Sequence, residues 1–193
     1  DVRDRAAVEA AVASLPTEFQ ALDVLVNNAG GAHGLNPIQQ GDPRDWDQML
    51  DSNVRGLLNV THALLPGMTA RQSGFIVNVG SVAGHEAYAN GNVYCASKAA
   101  VAMLTKTMRL DLLPLGIKVA EVNPGAVETE FSQVRFKGDA ARAAKVYEGF
   151  EPLRPEDVAE IIVFMVTRPA RVTIAEVLVL AGAQGAATTI VRK

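Results

Sequence analysis

Apolar residues recur along the chain in two rhythms. Short, near-continuous runs, Asp23 to Val26, Phe75 to Val79, Ile117 to Val122 and Val177 to Leu180, predict four strands with little polar alternation. Between them apolar positions return at helical spacing. Asp4 to Leu15 has Ala6, Ala7, Val8, Ala11, Val12 and Leu15 at helical spacing, with Asp4 as cap and Pro16 as the stop. Pro43 to Arg71 reads as one long helix, opened by Asp42 as N-cap and carrying Trp46, Met49, Leu50, Leu57, Leu58, Leu64 and Leu65 inward. Asn92 to Leu113 is a further helix with Val101, Leu104, Met108 and Leu112 inward, and Pro155 to Thr167 is the last, with Glu156 and Asp157 in its first turn. Apolar strands alternating with helices predict a parallel α/β sheet covered on both faces, in a single domain spanning residues 1–193.

The strand ends carry the candidate chemistry, because open α/β sheets bind ligands beyond the carboxyl ends of their strands. Asp23 to Val26 leads into Asn27-Asn28-Ala29-Gly30-Gly31, Phe75 to Val79 into Gly80-Ser81, and Ile117 to Val122 into Asn123-Pro124-Gly125. Just after Ser81 a helix begins that holds Tyr94 and Lys98, four apart and so on one face. Alone such a pair is a solvated surface contact worth roughly a few tenths of a kcal/mol. Beside Ser81 it reads as a tunable acid: a free tyrosine titrates at about 10, and a fixed cation favours its phenolate. Asn53 falls inside the long helix. The segment Glu128 to Gly149, with Arg135, Lys137, Arg142 and Lys145 and little periodicity, reads either as a solvated loop with a short helix or as a lid over the site.

Composition narrows the functional classes. The 193 residues are 49% hydrophobic, enough for one sizeable core. A net charge of -3, from 18 basic and 21 acidic residues without long runs of one sign, gives no footprint for nucleic acid. Cys95 is the only cysteine, so an intrachain disulfide is excluded, and His33, His62 and His85 are too scattered to suggest metal ligands; no metal is expected. No apolar run reaches the ~18 residues of a membrane span, and Asp1-Val2-Arg3-Asp4-Arg5 does not read as a signal peptide, so the expected compartment is the cytoplasm. The chain opens without methionine and falls directly into a helix, which reads as the later part of a larger domain.

Asn27-Asn28-Ala29-Gly30, Asn53, Ser81, Tyr94 to Lys98 as Tyr-Cys-Ala-Ser-Lys, and Asn123-Pro124-Gly125 with Val127 and Thr129 occur in this order and spacing. Together they make the chain resemble the short-chain dehydrogenase/reductase family along essentially its whole length. Asp1-Val2-Arg3, Leu64-Leu65-Pro66-Gly67-Met68 and Glu130 to Asp139 look like its subgroup of bacterial NADP-dependent 3-hydroxy acid dehydrogenases that also act on serine and malonic semialdehyde. The resemblance implies a Rossmann-like, doubly wound parallel sheet, of which the N-terminal strands and the glycine-rich phosphate turn, roughly fifty residues, would precede Asp1.

By the same resemblance Tyr94 exchanges the proton on the substrate oxygen while hydride moves to or from the nicotinamide. Lys98 lowers the tyrosine pKa and binds the nicotinamide ribose, Ser81 orients the carbonyl, and Asn53 holds a water that relays protons from Lys98. Asp1 and Val2 would lie beside the adenine, Asn28, Ala29 and Gly30 against the cofactor, and Pro124, Gly125, Ala126, Val127 and Thr129 around its nicotinamide end. Arg135 offers a guanidinium that can bind a substrate carboxylate bidentately. The implied cofactor is NADP, by subgroup alone, because the residues present do not separate it from NAD. The implied substrates are small 3-hydroxy acids such as serine and 3-hydroxypropionate, or malonic semialdehyde. A 3-oxoacyl thioester reductase of the same family and a non-catalytic binding protein lacking the nucleotide turn stay open as alternatives. The long helices correspond to those that associate in the family, which implies a homotetramer.

Overall fold

The computed structural model describes residues 1–193. Four strands, β1 (Val24–Asn27), β2 (Gly74–Val79), β3 (Ile117–Pro124) and β4 (Glu176–Val179), form one sheet in the order β1-β2-β3-β4 with every pairing parallel. Helix α1 (Arg5–Ala13) precedes β1. Helices α2 (Pro43–Leu50) and α3 (Leu57–Arg71) lie between β1 and β2, α4 (Asn92–Leu112) between β2 and β3, and α5 (Phe131–Arg135), α6 (Ala140–Tyr147) and α7 (Pro155–Val166) between β3 and β4. This is the expected Rossmann-like α/β arrangement.

Side chains alternate across each strand, so the two faces of the sheet build separate cores. On one face Leu25, Ile76, Ile117 and Val119 pack against Met68 of α3 and Leu112 of α4; on the other Phe75, Val77, Ala120 and Val122 pack against Val158 and Met165 of α7. Ile76, Val77, Val119 and Val122 are wholly buried, each contributing about 1.5–3 kcal/mol of transfer energy. The edge strands are covered less completely than their apolar sequences suggest. Val24 and Val26 of β1 are each 39% exposed, because α7 packs over β2 and β3 and no helix among these residues covers that side of β1.

The ends of elements follow their local chemistry. The Asp4 carboxylate accepts from the Ala7 amide and caps α1, and Asp42 accepts from the Arg44 amide at the start of α2, with Pro43 at the first helical position. Gly116, between α4 and β3, has φ +71, and a Cβ there would meet the Gln72 carbonyl at 2.4 Å, so only glycine fits.

The expected helix from Pro43 to Arg71 is interrupted. Asp51–Gly56 forms a π-helical turn between α2 and α3, which shifts the phase of everything after it. Leu57 is buried as expected and Leu58, expected inward, is 39% exposed; Leu50, which ends α2 before the turn, is 44% exposed. A third apolar cluster, Ala32, Met49, Ala83, Tyr94 and Cys95 with Trp46, Tyr88, Val93 and Phe131 against it, gathers beyond the strand ends and holds the loops that form the site.

Candidate active site

The π-helical turn delivers Asn53 inward. Its amide Nδ2 donates to the Gly31 carbonyl at 2.9 Å and to Ser97 Oγ at 3.0 Å, and its Oδ1 accepts from the Gly31 amide at 2.8 Å. Ser97 Oγ in turn donates to the Tyr94 carbonyl. Asn53, 2% exposed, thus ties the turn after β1 to the first turns of α4. A Cβ on Gly30 would lie 2.6 Å from Asn53 Oδ1, so the glycine is what lets that turn approach. π-turns concentrate at functional sites because the extra residue re-aims a side chain, and Asn53 is the side chain re-aimed here.

Ser81 follows β2. Its amide donates to Asn123 Oδ1 at 2.9 Å, and its Oγ accepts from the Ala83 amide at 3.1 Å, which fixes both backbone and hydroxyl oxygen. Tyr94 stands in the first turn of α4, 8% exposed, with its ring edge-on to Phe131 at 5.6 Å. Burial pushes its phenol up to about 12, opposed chiefly by the Ser81 hydroxyl and also by the charge of Arg135. Lys98, one turn on and also 8% exposed, donates from Nζ to the Val79 carbonyl at 2.9 Å. Burial pushes its ammonium down to about 8, opposed by the charge of Glu121. Burial dominates both groups, Lys98 points to a backbone carbonyl, and Arg135 is the cation whose charge opposes the rise of the phenol.

Arg135 ends α5. Its guanidinium carbon lies 5.0 Å from the Tyr94 ring centroid, 5.3 Å from Phe131 and 5.8 Å from Tyr88, and its Nη2 donates to the Tyr88 hydroxyl at 2.6 Å. Its Nε is buried and has no hydrogen-bond partner. The segment from Glu128 to Gly149 proves to be two short helices pinned against the site. The Gly34 amide donates to the Arg135 carbonyl, Lys137 pairs with the buried Asp45 at 2.9 Å, and the Tyr147 hydroxyl donates to the Val127 carbonyl.

The remaining expected residues line the neighbouring strand ends. Val2, Val26, Asn28, Ala29, Gly56, Leu57 and Val60 border a cavity of about 110 Å³ at the end of β1, with Asp1 exposed next to Val2. Beyond β3, the Gly125 amide donates to the Val179 carbonyl, the Ala126 amide to Gln184 Oε1 at 2.9 Å, and the Phe131 amide to Thr129 Oγ1. Pro124 is the last residue of β3, and Val127 bridges to Leu153.

Four residues that shape the site escaped the sequence reading: Tyr88, Glu121, Asn123 as a holder of Ser81, and Gln184. Glu121 had a signal, a carboxylate in the middle of an apolar strand. Tyr88 and Gln184 had none, since their partners are distant in the chain. His85 pairs with Glu176 at 3.1 Å, and nowhere do three or more His, Cys, Asp or Glu side chains gather as a metal would require.

Similarity to known proteins agrees with this geometry. The sequence pattern of the short chain dehydrogenases matches residues 1–140. The chain is 49% identical over 175 residues to the NADP-dependent 3-hydroxy acid dehydrogenase of Salmonella typhi, covering 90% of this chain and 71% of that protein. It is 45% identical over 193 residues to the NADP-dependent 3-hydroxy acid dehydrogenase of Schizosaccharomyces pombe, covering 100% of this chain and 74% of that one. It superposes with a TM-score of 0.95 on the closed form of a serine dehydrogenase complexed with NADP+, at 45% identity over 100% of this chain and 78% of the other. The serine dehydrogenase of Escherichia coli gives a TM-score of 0.82 at 39% identity, over 96% and 75%. With the strand-end site and these relatives in agreement over most of its length, the chain belongs to the short-chain dehydrogenase family.

Proposed function

We propose that this protein is an oxidoreductase that moves a hydride between NADP and a small 3-hydroxy acid or its carbonyl counterpart, of the serine and 3-hydroxypropionate class. The observation that carries the substrate class is the buried, unpartnered Nε of Arg135 over the face of Tyr94. A guanidinium with a free donor beside a group that can transfer a proton supports a carboxylate site next to a reacting hydroxyl. The relatives named above support the cofactor and the reaction.

The residues present fit a dinucleotide at the strand ends. The cavity at β1 is walled by Val2, Val26 and Val60, and the turn beside it carries Gly30 in close approach to Asn53. Asp1, Val2, Asn28, Ala29 and Gly30 would hold one end, and Pro124, Gly125, Ala126, Val127 and Thr129 the other, with Lys98 between. The chemistry that bound NADP would supply there is hydride exchange with the carbinol or carbonyl carbon of the substrate.

In oxidation the substrate hydroxyl proton passes to Tyr94 Oη as the carbon–oxygen bond becomes a carbonyl, and in reduction the same phenol gives the proton back. Ser81 Oγ donates to the reacting oxygen and holds it in line. Arg135 binds the carboxylate and, as the neighbouring cation, favours the phenolate that oxidation requires. Asn53 keeps the Gly31 turn and α4 in register.

The reading is tested by following nicotinamide absorbance with NADP and then NAD, offering L-serine, 3-hydroxypropionate and 1-propanol. Reduction of NADP with both hydroxy acids well above the neutral alcohol is the expected result. Equal rates for acid and alcohol, or none with either acid, overturn it. We also infer a cytoplasmic homotetramer. Met103, Leu110 and Leu113, on α4 and just after it, are 61%, 72% and 70% exposed, an apolar surface suited to association of copies, which sedimentation tests. No helix is long and apolar enough to cross a membrane.

A further inference from the structure

One buried charge has no part in the chemistry above. Glu121 stands in the middle of β3, 1% exposed, beside Asn78 of β2 and Glu176 of β4. Ile117 and Val119 of the same strand point to the face covered by α3 and α4, so by alternation Glu121 faces α4, the helix that carries Lys98. An apolar residue would fill this position at less cost than a carboxylate taken out of water, so the charge calls for a reason.

The geometry beneath Gly80 supplies one. A Cβ built there would lie 2.2 Å from Glu121 Oε1 and 2.0 Å from Asn123 Oδ1, so both side chains press on the backbone of this residue. Three consecutive residues then receive the active-site contacts from below. Val79 accepts from Lys98 Nζ, Gly80 rests on Glu121 and Asn123, and the Ser81 amide donates to Asn123 Oδ1. Glu121 makes no direct ion pair with Lys98, yet it is the charged group that acts on that ammonium.

We propose that Glu121 is a positioning residue which, from beneath Gly80, keeps the buried Lys98 charged. The inference rests on the reading of Lys98 as a member of the active site. Burial pushes Glu121 up to about 7, Glu176 adds to this, and Lys106 and Lys98 on α4 oppose it, with Asn123 also favouring the carboxylate. His85, after β2, is paired with Glu176, and Arg109 of α4 donates to the Val119 and Ala175 carbonyls. Lys98 and Glu121 therefore each hold the other in its charged form against burial.

The test is an NMR titration of lysines labelled with 13C at Cε in the whole protein, with Lys98 assigned by Lys98→Arg. In Glu121→Gln, which keeps size and removes charge, the Lys98 midpoint should fall by roughly half a pH unit or more, and Glu121→Asp should bring most of it back. If Glu121→Gln does not fold, Glu121→Leu, which suits an apolar strand, gives the same reading. The descending alkaline limb of kcat/KM should move with the midpoint, whereas a merely structural role would lower activity equally at every pH. A Lys98 midpoint unchanged in a folded Gln or Leu variant overturns the inference. A shifted midpoint without turnover of any hydroxy acid leaves it standing and removes the proposed function instead.

Discussion

Arg135 lies over Tyr94, its guanidinium carbon 5.0 Å from the ring centroid, so one cation both faces the expected carboxylate position and favours the phenolate. Under the proposed function this pairing would join substrate recognition to proton transfer. Arg135→Ala should raise KM for 3-hydroxy acids by about 10–100-fold, the worth of a charge-assisted bidentate contact. For 1-propanol KM should stay nearly constant. Arg135→Lys should restore charge without the fork and recover only part of the loss. Equal changes for acid and alcohol in steady-state kinetics would remove the carboxylate from the account.

Asn53 is the residue through which the π-helical turn acts. Its side chain makes hydrogen bonds to Gly31 and Ser97 with almost no exposure. Asn53→Ala leaves the Gly31 carbonyl and Ser97 without that partner and should cost about 2–3 kcal/mol in urea unfolding. Ser97→Ala, which removes one partner only, should cost less. Additivity of the two in the double variant would show that they do not act through one network.

The pH dependence of stability follows from the buried Glu121 and Lys98. The folded pKa of Glu121 is raised from 4.5 to about 7, so its contribution is fully present below 4.5 and is lost as pH rises through 7. Lys98 is lowered from 10.5 to about 8, so its contribution is present above 10.5 and is lost as pH falls through 8. Between 7 and 8 the protein carries both unfavourable charges. Glu121→Gln should therefore match the parent near pH 4.5 and be the more stable above pH 7. Denaturant midpoints at pH 4.5 and 8 decide it; a Gln variant that is less stable at pH 8 contradicts the assignment.

Much of this architecture could be read directly from residue order, and what could not has a physical cause. Near-continuous apolar runs stand out when a strand is buried on both faces, which is why β2 and β3 were legible to within a residue or two. Tyr94 and Lys98 were legible because a spacing of four means one face of any helix. Spacing says nothing of direction, however, and the Lys98 side chain turns to the Val79 carbonyl. The π-turn at Asp51–Gly56 has no local signature, because it is drawn out by contacts of Asn53 with Gly31 and Ser97, the latter 44 residues away. Gln184 was hidden for the same reason, its bond to Ala126 spanning 58 residues.

Gln184 gives the last prediction. Its Oε1 accepts from the Ala126 amide and would meet a Gly125 Cβ at 2.1 Å, so its side chain fills the space under the turn that is expected to receive the nicotinamide end. Its Nε2 donates to the Ala186 carbonyl, and the Ala187 amide donates to Glu86 Oε2, so the same strap is tied to the loop after Ser81. Gln184→Ala removes an acceptor from a half-buried amide and leaves a void beneath glycine, which lets the turn sample other conformations. The expected outcome is a rise of about 10-fold in KM for NADP, with a smaller change in KM for the hydroxy acid, since Arg135 lies on a separate element. Gln184→Glu keeps the acceptor and should stay close to the parent. If Gln184→Ala instead raises KM for the hydroxy acid and leaves that for NADP unchanged, the turn at Gly125 belongs to the substrate and not to the cofactor.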